Sequence, residues 1–257
     1  MLDLLIYIPV FLFGIVIGSF LNVLIYRLPR EISFVKGFSK CPHCDHRLFT
    51  KDLIPVFSFL FLKGQCRYCK GKISIQYPLV ELANAIMYIG CFARYGFTLQ
   101  AGIFCIICSA LMVIAVTDWQ FMIIPDSMNL VIGLCGLALL AISPSLWLDR
   151  LIGAVCVSGV MLLIALVSSG RAMGGGDIKL MAVIGLCFGW KLTLFITAFG
   201  AILGTLAVIV LSKTKYALGK KVQFGSFLSI AAIMSIFVGE AFIAWYLGLL
   251  VHEEGCT

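Results

Sequence analysis

The chain has 257 residues, of which 62% are apolar and 12% are charged. Soluble globular proteins average about 45–50% apolar and about 25% charged residues, so this composition excludes that class. The net charge of +7 is unevenly distributed, because ten of the 19 Lys and Arg residues lie between Arg27 and Lys72. Such clustering is typical of a cytoplasmic loop in a membrane protein, and we do not expect nucleic acid as a partner.

Apolar stretches of about 20 residues, long enough to cross a bilayer, begin near the N-terminus. They predict eight transmembrane helices, at about residues 4–26, 79–97, 99–117, 124–142, 148–168, 178–190, 192–211 and 225–250. No basic region precedes the first stretch, so we expect a true span there and not a cleaved signal peptide. The stretch 178–190 is short, and Gly185 and Gly189 favour packing against protein. The predicted fold is an all-α polytopic membrane protein.

The distribution of Lys and Arg also predicts the orientation of the helices. If the loop after the first helix is cytosolic, 16 of these residues fall on the cytosolic side and three on the other side. Both termini then lie on the outer side of the membrane. We expect residues 1–27 to form the first helix, residues 28–78 a small cytosolic domain, and residues 79–257 a helical core.

The predicted cytosolic domain contains two C-x-x-C pairs, Cys41 with Cys44 and Cys66 with Cys69, separated by 21 residues. Two such pairs are able to direct four thiolates at one tetrahedral zinc ion, and a structural metal would stabilise a domain too small to depend on its own core. A reducing cytosol argues against disulfides. A thioredoxin-like redox pair and a chance pairing are the alternatives.

The histidines and the remaining cysteines show no comparable set of two spaced pairs. His43 and His46 are expected to be solvated loop residues, because the four thiols already complete a tetrahedral site. Seven further cysteines lie in apolar helices or the tail, where cysteine packs as a small apolar residue. They are Cys91, Cys105, Cys108, Cys135, Cys156, Cys187 and Cys256.

Two aspartates stand at the predicted cytosolic edge of the membrane. Asp118 follows the third span, and Asp177 begins the sixth after three glycines, the last two of them Gly175 and Gly176. A close carboxylate pair shares one proton, so one member serves as base and the other as acid, and such a pair is able to activate water against a peptide bond. The glycines would let the chain bend and let another backbone approach.

The helix dipole would favour the ionised form of Asp177 if this residue caps its helix, so we expect Asp177 to be the ionised member of the pair. The alternative is purely structural, with Asp177 as a helix cap and Asp118 as a loop residue near lipid headgroups. Asp126, after Pro125, is interpreted as a helix-start residue that could also orient the site. Glu81 and Glu240 are interpreted as polar contacts between helices.

The sequence gives little support for other hydrolytic chemistries. It contains no G-x-S-x-G and no H-E-x-x-H motif, which disfavours a serine or zinc intramembrane protease. A transporter would spread its carboxylates across the depth of the membrane instead of gathering them at one edge. A non-enzymatic scaffold that docks partners through its zinc domain is a third alternative, and it predicts that both aspartates are replaceable.

Taken together, these motifs resemble the prepilin peptidase family, the GxGD-type aspartic membrane proteases of bacterial type IV pilus and type II secretion systems. The resemblance runs along most of the chain, through the cysteine pairs and Asp118. The other matching motifs are Gly18-Ser19-Phe20-Leu21-Asn22-Val23, Arg27-Leu28-Pro29, Ile73-Ser74, Tyr77-Pro78-Leu79-Val80-Glu81, Ile124-Pro125-Asp126 and Met173-Gly174-Gly175-Gly176-Asp177-Ile178-Lys179-Leu180. One departure is Ser226, where many relatives carry proline.

The resemblance implies that Asp118 and Asp177 are the catalytic pair and that the four cysteines bind structural zinc. Gly174, Gly176 and Lys179 would support the site. Asp126 would assist the catalytic pair, and the alternative is that Asp126 supplies the carboxylate in place of Asp118. The implied activity is cleavage of leader peptides from prepilins or pseudopilins at the cytosolic face of the bacterial inner membrane. Methylation of the new N-terminus with S-adenosylmethionine is implied as well, without residues to assign to it; a peptidase that lacks this second activity is the alternative.

Overall fold

The computed structural model describes residues 2–33, 35, 37–170, 173–212 and 223–254, with the backbone alone at residues 2–4, 211–212, 247 and 249–254. This part of the chain is helical and contains no named strand. Its α-helices are α1 Leu2–Arg27, α2 Phe57–Phe61, α3 Gln76–Tyr95, α4 Leu99–Phe121, α5 Asp126–Ile142, α6 Trp147–Val167, α7 Gly175–Ser212 and α8 Phe224–Glu254. The chain folds as two compact units, Met1–Gly96 and Phe97–Thr257.

In the first unit, α1 packs along α3 through small residues. A Cβ atom at Gly14 would lie 2.7 Å from the Cα of Ala85, and one at Gly18 would lie 2.6 Å from the Cα of Glu81. Glycine is therefore required at both positions, since it lets the two backbones approach closely. The buried Asn84 side chain donates a hydrogen bond to the Gly14 carbonyl oxygen at 2.8 Å, which fixes the register of the pair.

In the second unit, α7 packs against α5, α6 and α8, and α4 packs against α5 and α8. The contact of α6 with α7 is close, because a Cβ atom at Gly153 would lie 2.6 Å from the carbonyl oxygen of Gly185. The path of α7 breaks at Gly189, whose φ of 73° and ψ of 173° are not helical. A positive φ favours glycine, which explains the residue at the break.

The predicted apolar stretches correspond to α1, α3, α4, α5, α6, the two parts of α7 on either side of Gly189, and α8. An all-helical fold is thus confirmed for the described residues. Five helical segments among them are long and apolar enough to cross a membrane: Leu5–Arg30, Leu99–Phe121, Pro144–Val167, Gly175–Val210 and Phe224–Tyr246. The helix Asp126–Ile142 is apolar but shorter. The number of eight spans therefore stays a prediction.

Several residues used for the predicted orientation lie outside the described residues. They are Lys36, Arg171, Lys213, Lys215, Lys220 and Lys221, together with Cys256 of the tail.

Candidate active site

Asp118 lies in the last turn of α4. The helix is capped at its start by Thr98, whose hydroxyl accepts a hydrogen bond from the Ala101 N–H at 3.2 Å, and at its end by Met122, which has a left-handed φ of 57°. The Met122 N–H closes the helix by donating to the Asp118 carbonyl oxygen at 2.8 Å. Asp118 itself is only 6% exposed, so its carboxyl group needs polar partners inside the protein.

Asp177 lies in the first turn of α7, which begins at Gly175. It is two residues inside the helix and is not the cap, but the dipole acts throughout the first turn. Its Oδ1 atom is buried and has no hydrogen-bond partner in the part of the chain that the structure describes. The adjacent glycines leave room for close neighbours: a Cβ at Gly174 would lie 3.2 Å from the Asp177 Oδ2, and one at Gly176 would lie 3.1 Å from the Ile124 Cβ.

Gly225, the second residue of α8, lies beside both aspartates. A Cβ atom placed there would be 3.1 Å from the Oδ1 of Asp177, 3.2 Å from the Oδ2 of Asp118 and 2.6 Å from the Cδ1 of Ile124. The distance between the Asp177 Oδ1 and the Asp118 Oδ2 is therefore at most the sum of the distances from this Cβ to the two oxygens. The structure thus brings Asp118 and Asp177 together around a residue that has no side chain.

Ser226 holds one of these carboxyl groups. Its N–H donates to the Asp118 Oδ2 at 2.7 Å, and its Oγ lies 2.9 Å from the same oxygen. The Oγ is also 2.9 Å from the carbonyl oxygen of Ala115. Because the first N–H groups of a helix have no partner within it, Asp118 satisfies a donor of α8 from outside that helix.

Sequence reasoning missed Gly225 and the contact made by Ser226. A small residue followed by a hydroxyl residue at the start of an apolar helix is the sequence feature that could have pointed to them.

Asp126 and Lys179 form an ion pair at the surface. The Lys179 Nζ lies 2.9 Å and 3.0 Å from the two carboxylate oxygens of Asp126, and their side chains are 60% and 72% exposed, respectively. Asp126 is the first residue of α5, as expected of a helix-start residue, and Lys179 belongs to the early part of α7. The pair joins the start of α5 to the start of α7, the helix that contains Asp177.

The four cysteines of the first unit come together. The Sγ atoms of Cys41, Cys44, Cys66 and Cys69 all lie within 4.8 Å of one another, and those of Cys41 and Cys69 are 3.8 Å apart. Zn–S bonds of about 2.3 Å in a tetrahedron place sulfurs about 3.8 Å apart, so this cluster could hold a zinc ion.

The cluster is formed by two turns with matching hydrogen bonds. The Cys41 N–H donates to the His46 carbonyl at 3.0 Å, and the Cys66 N–H donates to the Gly71 carbonyl at 2.8 Å. Backbone hydrogen bonds from Cys69 and Tyr68 lower the pKa of Cys66 to about 7 against the opposing effect of burial. The pKa of Cys44 moves the other way: a backbone hydrogen bond at His46 lowers it, but burial and hydrogen bonds with Cys69 and Cys41 outweigh this effect and raise the pKa to about 12.

Asp52 connects the second cysteine turn to the rest of this unit. Its Oδ1 accepts from the Arg67 Nε at 2.7 Å, and its Oδ2 accepts from the Tyr68 hydroxyl at 3.1 Å and from the Phe49 N–H at 3.2 Å. Burial raises the pKa of Asp52, but these hydrogen bonds and the Arg67 charge outweigh it, so the pKa lies below its usual range.

The two histidines near the cysteines have other contacts. The ring of His46 lies against that of Tyr68, with centroids 3.7 Å apart and the planes tilted by 35°, and the Nε2 of His43 lies 3.2 Å from the Lys72 carbonyl oxygen.

Glu81 of α3 makes the expected polar contact between helices, because its carboxylate has a hydrogen bond with the Ser19 side chain of α1. Glu81 also contacts the loop before α2, where its Oε2 accepts the N–H of Val56 at 2.7 Å.

The fold and the site define a helical membrane protein in which two carboxyl groups meet beside a helix start and four thiols form a possible metal centre in a separate unit. Residues 12–95 match the Bacterial Peptidase A24 N-terminal domain, and residues 105–209 match the Type IV leader peptidase family. The chain belongs to this family of peptidases, which confirms the resemblance seen in its motifs.

Several curated proteins are similar to the chain over nearly their whole length. The prepilin leader peptidase/N-methyltransferase of Bacillus subtilis (strain 168) is 34% identical over 242 residues, covering 92% of this chain and 96% of the relative. The proteins of the same name from Stutzerimonas stutzeri and Pseudomonas aeruginosa are each 33% identical, covering 91% and 92% of this chain, respectively, and 91% of each relative. No solved structure matches the chain.

Proposed function

We propose that the chain is a prepilin leader peptidase in which Asp118 and Asp177 activate the hydrolytic water. The observation that carries the proposal is the placement of one oxygen of each carboxyl group beside Gly225. Two carboxyl groups that approach within hydrogen-bonding reach of each other or of one water share a proton, which would provide a base and an acid in one site. The alternative that both aspartates are structural does not explain why the Oδ1 of Asp177 is buried without a partner among the described residues.

The hydrogen bonds suggest which aspartate holds the charge. The Oδ2 of Asp118 accepts from the Ser226 N–H, and the positive end of the α8 dipole is at the same place. We therefore propose Asp118 as the charged base and Asp177 as the protonated acid, which exchanges the roles that the sequence led us to expect.

In the proposed reaction, Asp118 takes a proton from water while the water oxygen attacks the carbonyl carbon of the scissile peptide bond. Asp177 gives its proton to the carbonyl oxygen. The resulting tetrahedral diol then collapses as Asp118 passes its proton to the leaving amide nitrogen and Asp177 regains a proton from the diol. No covalent intermediate is formed.

The substrate would present its scissile bond at the depth of the two aspartates. A prepilin carries an apolar helix, which would lie in the bilayer, and a leader, which would lie in the cytosol. Entry between helices would position the bond at the cytosolic edge of the inner membrane without a deep cleft. This proposal includes the predicted orientation, with eight spans, both termini outside and the cysteine domain in the cytosol.

The cysteine cluster would hold zinc in a structural role. Four thiolates leave no open position at the metal, so the ion would stabilise residues 28–78 and take no part in hydrolysis. Methylation of the cleaved product is proposed from the names of the relatives alone. S-adenosylmethionine would supply the methyl group, and no residue of this chain is assigned to it; peptidase activity without methylation is the alternative.

The test uses the purified full chain in lipid nanodiscs with a prepilin, in the presence and absence of S-adenosylmethionine. Asp118→Asn and Asp177→Asn should each lower the cleavage rate by at least about 10³-fold, since an amide is neither base nor acid. Glu240→Gln, at an exposed acid of α8, is the matched control. Normal cleavage by either aspartate variant would overturn the proposal. Loss in Asp126→Asn with full activity in Asp118→Asn would assign the carboxylate to Asp126.

A further inference from the structure

An apolar run interrupts the polar domain between α1 and α3. Residues 53–62 read Leu-Ile-Pro-Val-Phe-Ser-Phe-Leu-Phe-Leu, with one polar side chain in ten. Apolar stretches of about 10 to 14 residues are typical of buried core helices or of segments that lie in the membrane interface. The structure separates these alternatives, because Phe61 is 83% exposed and Leu60 is 64% exposed. The run is not a buried core.

The exposed side chains of this run share one side of α2. Phe57, Leu60 and Phe61 have the i, i+3, i+4 spacing that places residues on the same face of a helix. Ser58 faces inward, is buried, and donates from its Oγ to the Lys51 carbonyl oxygen at 3.0 Å. The helix is therefore amphipathic in an unusual sense, since its polar residue is inside and its large apolar residues are outside. Water is an unfavourable environment for such a face.

A hydrogen bond places this run beside α3, which packs along the apolar helix α1. The Val56 N–H donates to the Glu81 carboxylate, and the Cα of Glu81 lies against Gly18 of α1. Gly18 falls well inside the apolar segment Leu5–Arg30, roughly 13 Å before Arg27 at 1.5 Å per residue. The start of α2 is thus level with the apolar part of α1 and not beyond its end.

Basic residues stand at both ends of the run. Lys51 precedes it and Lys63 follows it, and both are exposed. Lysines next to a partly inserted apolar face bind anionic headgroups, as in other interfacial segments. An apolar face at membrane depth, bounded by positive charge, fits the surface of an anionic phospholipid bilayer.

We propose that residues 53–62, the interfacial segment, enter the bilayer beside α1 and α3. Phe57, Leu60 and Phe61 contact acyl chains, and Lys51 and Lys63 contact lipid phosphates. The segment anchors the cysteine domain to the membrane surface at a fixed height. This inference does not depend on the catalytic role of the aspartates, and it means that residues 28–78 are not wholly cytosolic.

The test is lipid photocrosslinking of the full chain in vesicles of phosphatidylcholine and phosphatidylglycerol. The photoreactive residue p-benzoylphenylalanine replaces Phe61 in one sample and Phe49 in the other; Phe49 belongs to the same domain and is 49% exposed. Lipid adducts, measured by mass spectrometry, should be on the order of tenfold more abundant at position 61. Equal zinc content in both samples shows that the domain is folded.

The outcomes separate the candidate partners of the segment. In the chain that carries the photoreactive residue at position 61 and no other change, omitting phosphatidylglycerol should reduce the lipid adducts. In a chain that also carries Lys51→Gln and Lys63→Gln, the same omission should leave the adducts unchanged. Equal adducts at positions 61 and 49, or none at 61, would overturn the proposal. Crosslinks from position 61 to an added prepilin in place of lipid would overturn it as well, because the face would then be a substrate contact.

Discussion

The hydroxyl of Ser226 is equidistant from two acceptors, at 2.9 Å from the Oδ2 of Asp118 and 2.9 Å from the carbonyl oxygen of Ala115. When Asp118 is charged, the hydroxyl donates its hydrogen to the carboxylate. When Asp118 is protonated, the acid donates to the Ser226 oxygen, and the hydroxyl rotates to donate to Ala115. Ser226 is therefore able to keep a hydrogen bond to Asp118 in both protonation states that the proposed role as general base requires.

Ser226→Ala should lower kcat for prepilin cleavage by about tenfold to 100-fold, because a hydrogen bond to a charged group contributes about 1.5–3 kcal/mol. KM should change little, since the hydroxyl contacts Asp118. The acid limb of the pH–rate profile should move to higher pH, because the charged form of the base loses a donor. Steady-state cleavage in nanodiscs across a pH series measures all three.

Ser229→Ala is the matched control for this prediction. It removes a buried hydroxyl one turn along α8 that has no partner among the described residues. Ser226→Thr keeps the N–H and the hydroxyl and should restore much of the rate. A pH profile for Ser226→Ala that coincides with that of Ser229→Ala would show that Ser226 has no effect on the protonation of Asp118.

Gly225→Ala should abolish most of the activity without unfolding the chain. The added methyl group would stand 3.1 Å and 3.2 Å from one oxygen of each aspartate and 2.6 Å from Ile124, so at least one neighbour must shift. Misplacing a catalytic group by about 1 Å costs about 10²-fold in rate. The measurement is the cleavage rate beside the thermal midpoint of the same sample.

Gly248→Ala tests whether any methyl group on α8 has the same effect. Among the described residues, no atom outside the neighbouring helix backbone lies within 4 Å of a Cβ at Gly248, so this change should leave cleavage intact. Replacing a helical glycine by alanine should also raise stability slightly, by about 0.5–1 kcal/mol. If Gly225→Ala is as active as Gly248→Ala, the space beside Gly225 is not part of the site.

Asp52→Asn should accelerate the release of zinc from the cysteine cluster to a chelator. The pKa of Asp52 is lower in the folded protein than its ordinary value of about 4. The charge of Asp52 therefore stabilises the fold fully above the ordinary pKa, and this stabilisation is lost as the pH falls through the lower pKa of the folded state. The effect of the substitution should therefore be largest near neutral pH and shrink in acid. Asp45→Asn, in the first cysteine turn, is the control and should release zinc at the parent rate.

The cysteine pairs illustrate what could be predicted from the sequence. Metal-binding thiols need short, regular spacings, so Cys41 with Cys44 and Cys66 with Cys69 identify a candidate metal site by themselves. The apolar stretches likewise predicted the helices, including the break at Gly189 in α7 as a boundary between two stretches. A metal site formed by short turns and a long apolar helix both depend on residues close together in the chain, so both are visible as short patterns in the sequence.

The contact of Ser226 with Asp118 could not be predicted, because the two residues are 108 positions apart. It depends on where the start of α8 lies beside the end of α4, which is decided by packing across the whole second unit. The apolar run at residues 53–62 was missed for another reason. The average polarity of residues 28–78 concealed it, and the hydrogen bond from Val56 to Glu81, which places the run beside α3, joins residues 25 positions apart.

The ion pair of Asp126 with Lys179 should matter little for stability. Exposed pairs contribute about 0–1 kcal/mol, since water screens the attraction and two long side chains must be ordered. Asp126→Asn and Lys179→Gln should each lower the unfolding free energy by no more than that, and the double variant should equal the larger single effect, because either change removes the same interaction. Thermal unfolding of the four proteins in one detergent completes this cycle. Additive losses would show that each side chain has a separate role at the starts of α5 and α7.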